Sequence, residues 1–139
     1  MIAYVDTSVV LRFILEGDIA IHHAFEATRT LASELLLIES RRVLERHRLN
    51  GELDDEKLAE AVARLFELYA CFEVWSLSDA IKKRAGGPFP TVVGTLDALH
   101  LATALEALAG QADSILALFS YDRQMNLCAK ALGFATPLS

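Results

Sequence analysis

The chain has 139 residues, 53% hydrophobic and 23% charged, with 13 Lys plus Arg against 19 Asp plus Glu for a formal net charge of −6. This hydrophobicity excludes intrinsic disorder, and 7 Gly with 3 Pro exclude collagen-like and low-complexity classes. A chain of this size buries roughly 68% of its extended surface on folding, enough for one core, so residues 1–139 are expected to form a single domain.

Two cysteines, Cys71 and Cys128, stand in no CxxC and in no zinc-spaced Cys/His pair, which predicts two buried thiols in a reducing compartment. The opening MIAYVDTSVV has no basic leader segment and carries Asp6 where an apolar run would continue. No apolar stretch reaches the roughly 18 residues of a spanning helix. The expected location is cytoplasmic, away from membranes. The acidic balance argues against a broad electrostatic nucleic-acid footprint but leaves room for a local one.

In chain order, residues 2–5 (IAYV) read as a buried strand ending at Asp6. Thr7 and Ser8 offer capping oxygens for an apolar helix over 9–15, Gly17-Asp18 breaks it, and residues 19–27 read as helical again. A short second strand falls at 30–32. Ser33 is placed as N-cap of a long helix running to Leu49, stopped by Asn50-Gly51. Residues 53–69 form a second amphipathic helix, opened by Asp54, Asp55 and Glu56, acids suited to the positive end of the helix dipole. A strand at 71–75 (CFEVW), a short helix at 79–85 capped by Ser78, a breaker loop at 86–90 (GGPFP), an apolar helix at 95–109, a strand at 115–119 (ILALF) and a helix at 121–132 complete the chain. Short apolar strands alternating with helices predict a three-layer α/β/α sandwich around a short, mostly parallel sheet.

Phosphate-loop, dinucleotide, zinc-protease and serine-elbow motifs are all absent. What remains is a set of carboxylates set against the grain of the fold. Asp6 and Asp122 follow strands, and open α/β sheets bind ligands beyond the carboxyl ends of their strands. Asp97 sits in the first turn of an apolar helix. Glu39 lies mid-helix between Leu35 and Leu36 on one side and Val43 on the other, where an unpaired carboxylate costs stability. Taken singly, the three aspartates read foremost as helix caps, and Glu39 as a snorkelling side chain or the partner of Arg42 or Arg46. Jointly, all four can be placed at one sheet edge. One pair of carboxylates 5 Å apart at an effective dielectric of 20 costs roughly 3 kcal/mol, so such a cluster needs protons or a hard cation. Four carboxylates with no Cys or His partner suit Mg²⁺ or Mn²⁺ better than zinc.

Val5-Asp6-Thr7-Ser8, Ser33-Glu34-Leu35 leading to Glu39-x-x-Arg42, the run DALHLATA from Asp97, Ser120-Tyr121-Asp122-Arg123 and the ending Ala131-Leu132-Gly133-Phe134 appear in that order. In these segments the chain resembles PIN-domain proteins of the VapC type, the toxin half of type II toxin–antitoxin pairs. The resemblance spans the whole chain, though residues 50–92 share only the pattern. It implies a PIN-like fold and an Mg²⁺- or Mn²⁺-dependent endoribonuclease. It also implies inhibition by a VapB-type antitoxin, and a homodimer or toxin–antitoxin hetero-oligomer. Carried over by position, the catalytic and metal-holding acids are Asp6, Glu39, Asp97 and Asp122, with Ser8 and Ser120 supporting them. The expected chemistry is hydrolysis of an RNA phosphodiester by water activated on the ion.

Arg42, Arg46 and Arg123 read either as exposed helical arginines or as phosphate contacts. His100 reads foremost as a packed, hydrogen-bonded histidine, with an acid or ligand role the alternative. Phe72, Tyr69 and Trp75 are expected in a core or an interface. One face of the first helix, with Phe13 and Leu15, is left for an antitoxin helix or a second subunit. The competing functional class is a catalytically inactive PIN-like module that binds an antitoxin or RNA.

Overall fold

The computed structural model describes residues 1–111 and 113–139. Four strands, β1 (Ile2–Val5), β2 (Arg29–Ser33), β3 (Glu73–Trp75) and β4 (Leu116–Phe119), form one sheet in the order β3-β2-β1-β4, every pairing parallel. Among the described residues seven helices accompany it: α1 (Thr7–Glu16), α2 (Ala20–Ala24), α3 (Leu35–Leu49), α4 (Asp55–Tyr69), α5 (Asp79–Ala85), α6 (Thr95–Leu108) and α7 (Arg123–Ala131). None is long and apolar enough to cross a membrane.

The central strands β1 and β4 are apolar and buried throughout because both faces of the sheet are covered there, while β2 opens on half-buried Arg29 and Thr30 and the edge strand β3 on exposed Glu73. Ala3, Val5, Ala32, Ala117 and Phe119 pack toward α1 to α4. Ile2, Tyr4, Leu31, Leu116 and Leu118 pack on the opposite side with Leu101, Ala104 and Ala107 of α6 and Met125, Cys128 and Ala129 of α7. These are the three layers expected of the alternating pattern. After β1 the chain steps outward to β2 and β3, then returns to place β4 on the other side of β1. The strand order therefore reverses between β1 and β4, the location where α/β sheets open a crevice at their carboxyl ends.

Several local expectations change. The helix foreseen at 19–27 is regular only over Ala20–Ala24, since Glu26 and Ala27 bond to the carbonyls of His23 and Ala24 and tighten into three-residue turns. The strand foreseen from residue 71 begins at Glu73, because the amides of Cys71 and Phe72 are still spent on the carbonyls of Leu68 and Tyr69. Cys71 is exposed in that turn, against the expectation of a buried thiol, while Cys128 is buried. Ser33 ends β2 and Glu34 holds the N-cap position of α3, although Ser33 Oγ still accepts from the Leu35 amide at 3.1 Å. Thr7 and Ser8 do not cap α1. Their hydroxyls go to carboxylates.

Phe72 is buried, and Trp75 and Tyr69 are partly buried against the two core clusters. On α1, Val9, Val10 and Ile14 are buried while Leu11, Phe13 and Leu15 are half-buried against the same core.

Candidate active site

Asp6 stands where β1 ends and α1 begins. Its backbone amide bonds to the Phe119 carbonyl at 3.0 Å, which locks it to the end of β4. It holds the N-cap position of α1 yet caps nothing. Its Oδ2 instead accepts from Ser8 Oγ at 2.8 Å and Ser120 Oγ at 2.9 Å. Ser8 Oγ in turn accepts from the Tyr121 amide at 3.0 Å, and Ser120 Oγ from the Asp122 amide at 2.9 Å. Asn126 donates to the Ser120 carbonyl at 2.8 Å. The two serines thus tie the β1 and β4 termini together through one buried carboxylate.

Glu39 reaches this edge from the second turn of α3. It pairs with neither Arg42 nor Arg46. Its Oε1 accepts from Thr7 Oγ1 at 2.9 Å and lies 2.6 Å from His100 Nε2. His100 Nε2 is also 3.8 Å from Asp6 Oδ1. The acid cluster therefore has a histidine partner that the pattern of acids alone did not show. The signal was the histidine three residues after Asp97, set in an otherwise apolar stretch of helix. Nothing in local spacing linked it to a glutamate 61 positions earlier. Thr7 was missed for a similar reason, since a hydroxyl at the start of a helix reads as a cap.

Asp97 occupies the first turn of α6 and is half-buried. Its carboxyl is pushed up to about 6, first by burial and then by the negative charges of Asp122, Asp6 and Glu39, with His100 opposing. That response places Asp97 within electrostatic reach of all three other acids. Asp122 is the most exposed of the four, and its Oδ1 caps α7 through the Met125 amide at 2.9 Å. His100 is raised above its ordinary value. Burial alone lowers it, but the hydrogen bond to Glu39 and the charges of Asp6, Glu39 and Asp97 outweigh that loss.

Among the described residues, no group of three or more His, Cys, Asp or Glu side chains is arranged to hold one metal ion. Glu39 Oε1 is committed to Thr7 and His100, and Asp122 Oδ1 to its helix. The donor set nevertheless fits a hard divalent cation. It is all oxygen, and burial together with the charges of Asp122, Asp6 and Glu39 makes Asp97 costly to ionise. A bound cation would remove that cost.

Arg42 and Arg46 lie exposed on α3, and Arg123 lies exposed beside Asp122. A shallow cleft of about 180 Å³ opens next to Ser8, lined by Leu11, Arg12, Leu15 and Glu16.

The fold is a parallel three-layer α/β sandwich whose strand order reverses between β1, which ends at Asp6, and β4, which Ser120 follows. The chain belongs to the PIN domain family, whose model matches residues 3–130. No curated protein matches its sequence. Among solved structures it is similar to VapBC2 from Rickettsia felis, determined bound to a DNA fragment from its promoter, with 13% identity, a TM-score of 0.65, and 92% of this chain and 93% of that chain covered. It is also similar to Mycobacterium tuberculosis VapC20, described as a sarcin–ricin loop cleaving toxin, at 17% identity, a TM-score of 0.62 and 96% of each chain. PAE2754 from Pyrobaculum aerophilum aligns at 18% identity and a TM-score of 0.58, over 90% of this chain and 77% of that one. At these identities the likeness establishes the fold.

Proposed function

We propose that this chain is a VapC-type toxin, acting as one domain over residues 1–139: an endoribonuclease dependent on Mg²⁺ or Mn²⁺, restrained by a VapB-type antitoxin. The observation that carries this reading is the approach of Asp6, Glu39, Asp97 and Asp122 at the carboxyl edge of a PIN fold, with Asp97 raised first by burial and then by the charges of the other three. PIN family membership and the likeness to VapC20, a sarcin–ricin loop cleaving toxin, support it.

Asp6 and Asp97 are the direct ligands in this reading. Ser8 and Ser120 saturate Asp6 Oδ2, so its Oδ1 is the oxygen left for the ion. Glu39 and Asp122 would hold the ion directly or through water, or orient the nucleophilic water. When bound, the ion supplies acidification of a water and neutralisation of charge on the phosphate and leaving oxygen. The buried side of the site excludes bulk water around Asp6, which is 6% exposed. Arg42, Arg46 and Arg123 offer phosphate contacts at the rim, offsetting the acids for a polyanionic substrate. The cleft beside Ser8, with half-buried Leu11 and Leu15, is the position for an antitoxin helix. Assembly with that antitoxin or as a homodimer, in the cytoplasm, follows from the same reading.

A second reading, a PIN-like module that binds without catalysis, draws on the commitment of Glu39 and Asp122 to internal hydrogen bonds. One experiment separates the two. Purified chain is incubated with structured RNA and Mn²⁺ alongside Asp97→Asn. Cleavage by the parent, abolished by EDTA and by the substitution, is expected. Equal cleavage by both proteins refutes the acid site, and binding of RNA without cleavage by either supports the module.

A further inference from the structure

His100 is almost wholly buried, at 1% exposure. A histidine is an expensive way to fill an apolar site, because both ring nitrogens need partners. Here each has one. Nδ1 is 2.7 Å from the hydroxyl of Tyr4, itself fully buried on β1, and Nε2 is 2.6 Å from Glu39 Oε1. The Tyr4 ring meets the imidazole edge-on, with centroids 5.9 Å apart. The chain Tyr4–His100–Glu39 links β1, α6 and α3. At 2.6 Å from a carboxylate, Nε2 carries the proton whether the ring is neutral or charged. Its lone pair is therefore not available to a cation, and Nδ1 faces tyrosine. His100 does not act as a ligand in this arrangement. Thr7 Oγ1 donates to the same Oε1 at 2.9 Å. Two donors hold one oxygen of Glu39, and Oε2 has no hydrogen bond to a described residue.

We infer that His100, held by Tyr4, is a positioning residue for Glu39: it pins Oε1 and leaves Oε2 as the oxygen offered to a divalent ion. This rests on the proposed metal site. A ligand-orienting hydrogen bond of this kind is worth about 10–100-fold in metal affinity. A merely space-filling histidine would leave that affinity untouched.

The test uses the full chain and Mn²⁺ alone, titrated by calorimetry and by electron paramagnetic resonance. His100→Leu is expected to weaken Mn²⁺ binding at least about 10-fold. His100→Gln, whose side-chain amide can reach the same donor position, is expected to restore affinity to within about 3-fold of the parent. Equal loss in both folded variants overturns the inference, as does unchanged affinity in His100→Leu. A parent that binds no Mn²⁺ overturns the metal site itself, a distinct result. If His100→Leu fails to fold, ring ¹⁵N spectra of the parent decide the matter. A proton on Nε2 whose resonance moves in Glu39→Gln is expected. A bare Nε2, or a resonance blind to that substitution, overturns the assignment.

Discussion

Replacing Asp97 by Asn should stabilise the metal-free protein, the reverse of what most substitutions at a half-buried polar position do. A carboxyl raised from 3.8 to about 6 has lost about 3 kcal/mol of preference for its ionised form. Because the side chain is only half-buried, solvent screening reduces the recoverable part to about 1–2 kcal/mol. The sign depends on pH. An acid whose folded value is raised penalises the fold only when ionised, so the penalty is absent below about pH 4, grows from there, and is complete above about pH 7. The expected gain for Asp97→Asn is on the order of 5 °C in Tm at pH 8 and close to zero at pH 4. Saturating Mn²⁺ should invert the order at pH 8, since a ligand at 100 times its Kd stabilises only the protein that binds it, by about 2.7 kcal/mol. Scanning calorimetry of both proteins at the two pH values, with and without Mn²⁺, provides the measurement. A metal-free Asp97→Asn that melts below the parent at pH 8, or a gap that is the same at both pH values, refutes the idea that crowded carboxylates strain this edge.

Ser120 is fully buried and serves Asp6 and the Asp122 amide at once, so Ser120→Ala should cost about 1–3 kcal/mol in urea unfolding and weaken Mn²⁺ binding. An unchanged midpoint would contradict its placement. Cys71 should react with an aromatic disulfide reagent in the native protein while Cys128 reacts only on unfolding, a difference read directly from thiol titration with and without denaturant. Arg42→Ala and Arg123→Ala should each weaken single-stranded RNA binding and lower the salt slope of log Kd by about 0.7. A slope that does not move removes that arginine from the phosphate rim.

The fold was legible in the sequence where burial is two-sided. IAYV and LALF admit no amphipathic reading, and short strands separated by helices leave a covered parallel sheet as the simplest arrangement. Element ends were less legible, because turns borrow helical hydrogen bonds. The amides of Cys71 and Phe72 close the end of α4, which delays β3 and leaves the thiol in solvent. A base rate of burial for cysteine carries no information about such a turn. The acids stood out individually, and the parallel topology explains why Asp6 and Asp122 share an edge. The bonds that hold them did not stand out. Thr7 looked like a cap, and His100 is the packed, hydrogen-bonded ring its sequence setting suggested, but the partner they share, Glu39, lies 32 and 61 positions away in the chain. Contacts at that separation depend on how α3 and α6 cross the sheet, which no local pattern encodes. Arg42 and Arg46 were legible as exposed helical arginines, and both are exposed on α3.

The central claim is that four separate acids form one seat for a divalent ion. Its most direct test is anomalous diffraction from crystals soaked in Mn²⁺. A peak in contact with Asp6 and Asp97, and within one water of Glu39 or Asp122, is the predicted result. A fully occupied Mn²⁺ elsewhere on the protein, with this edge empty, would contradict the account.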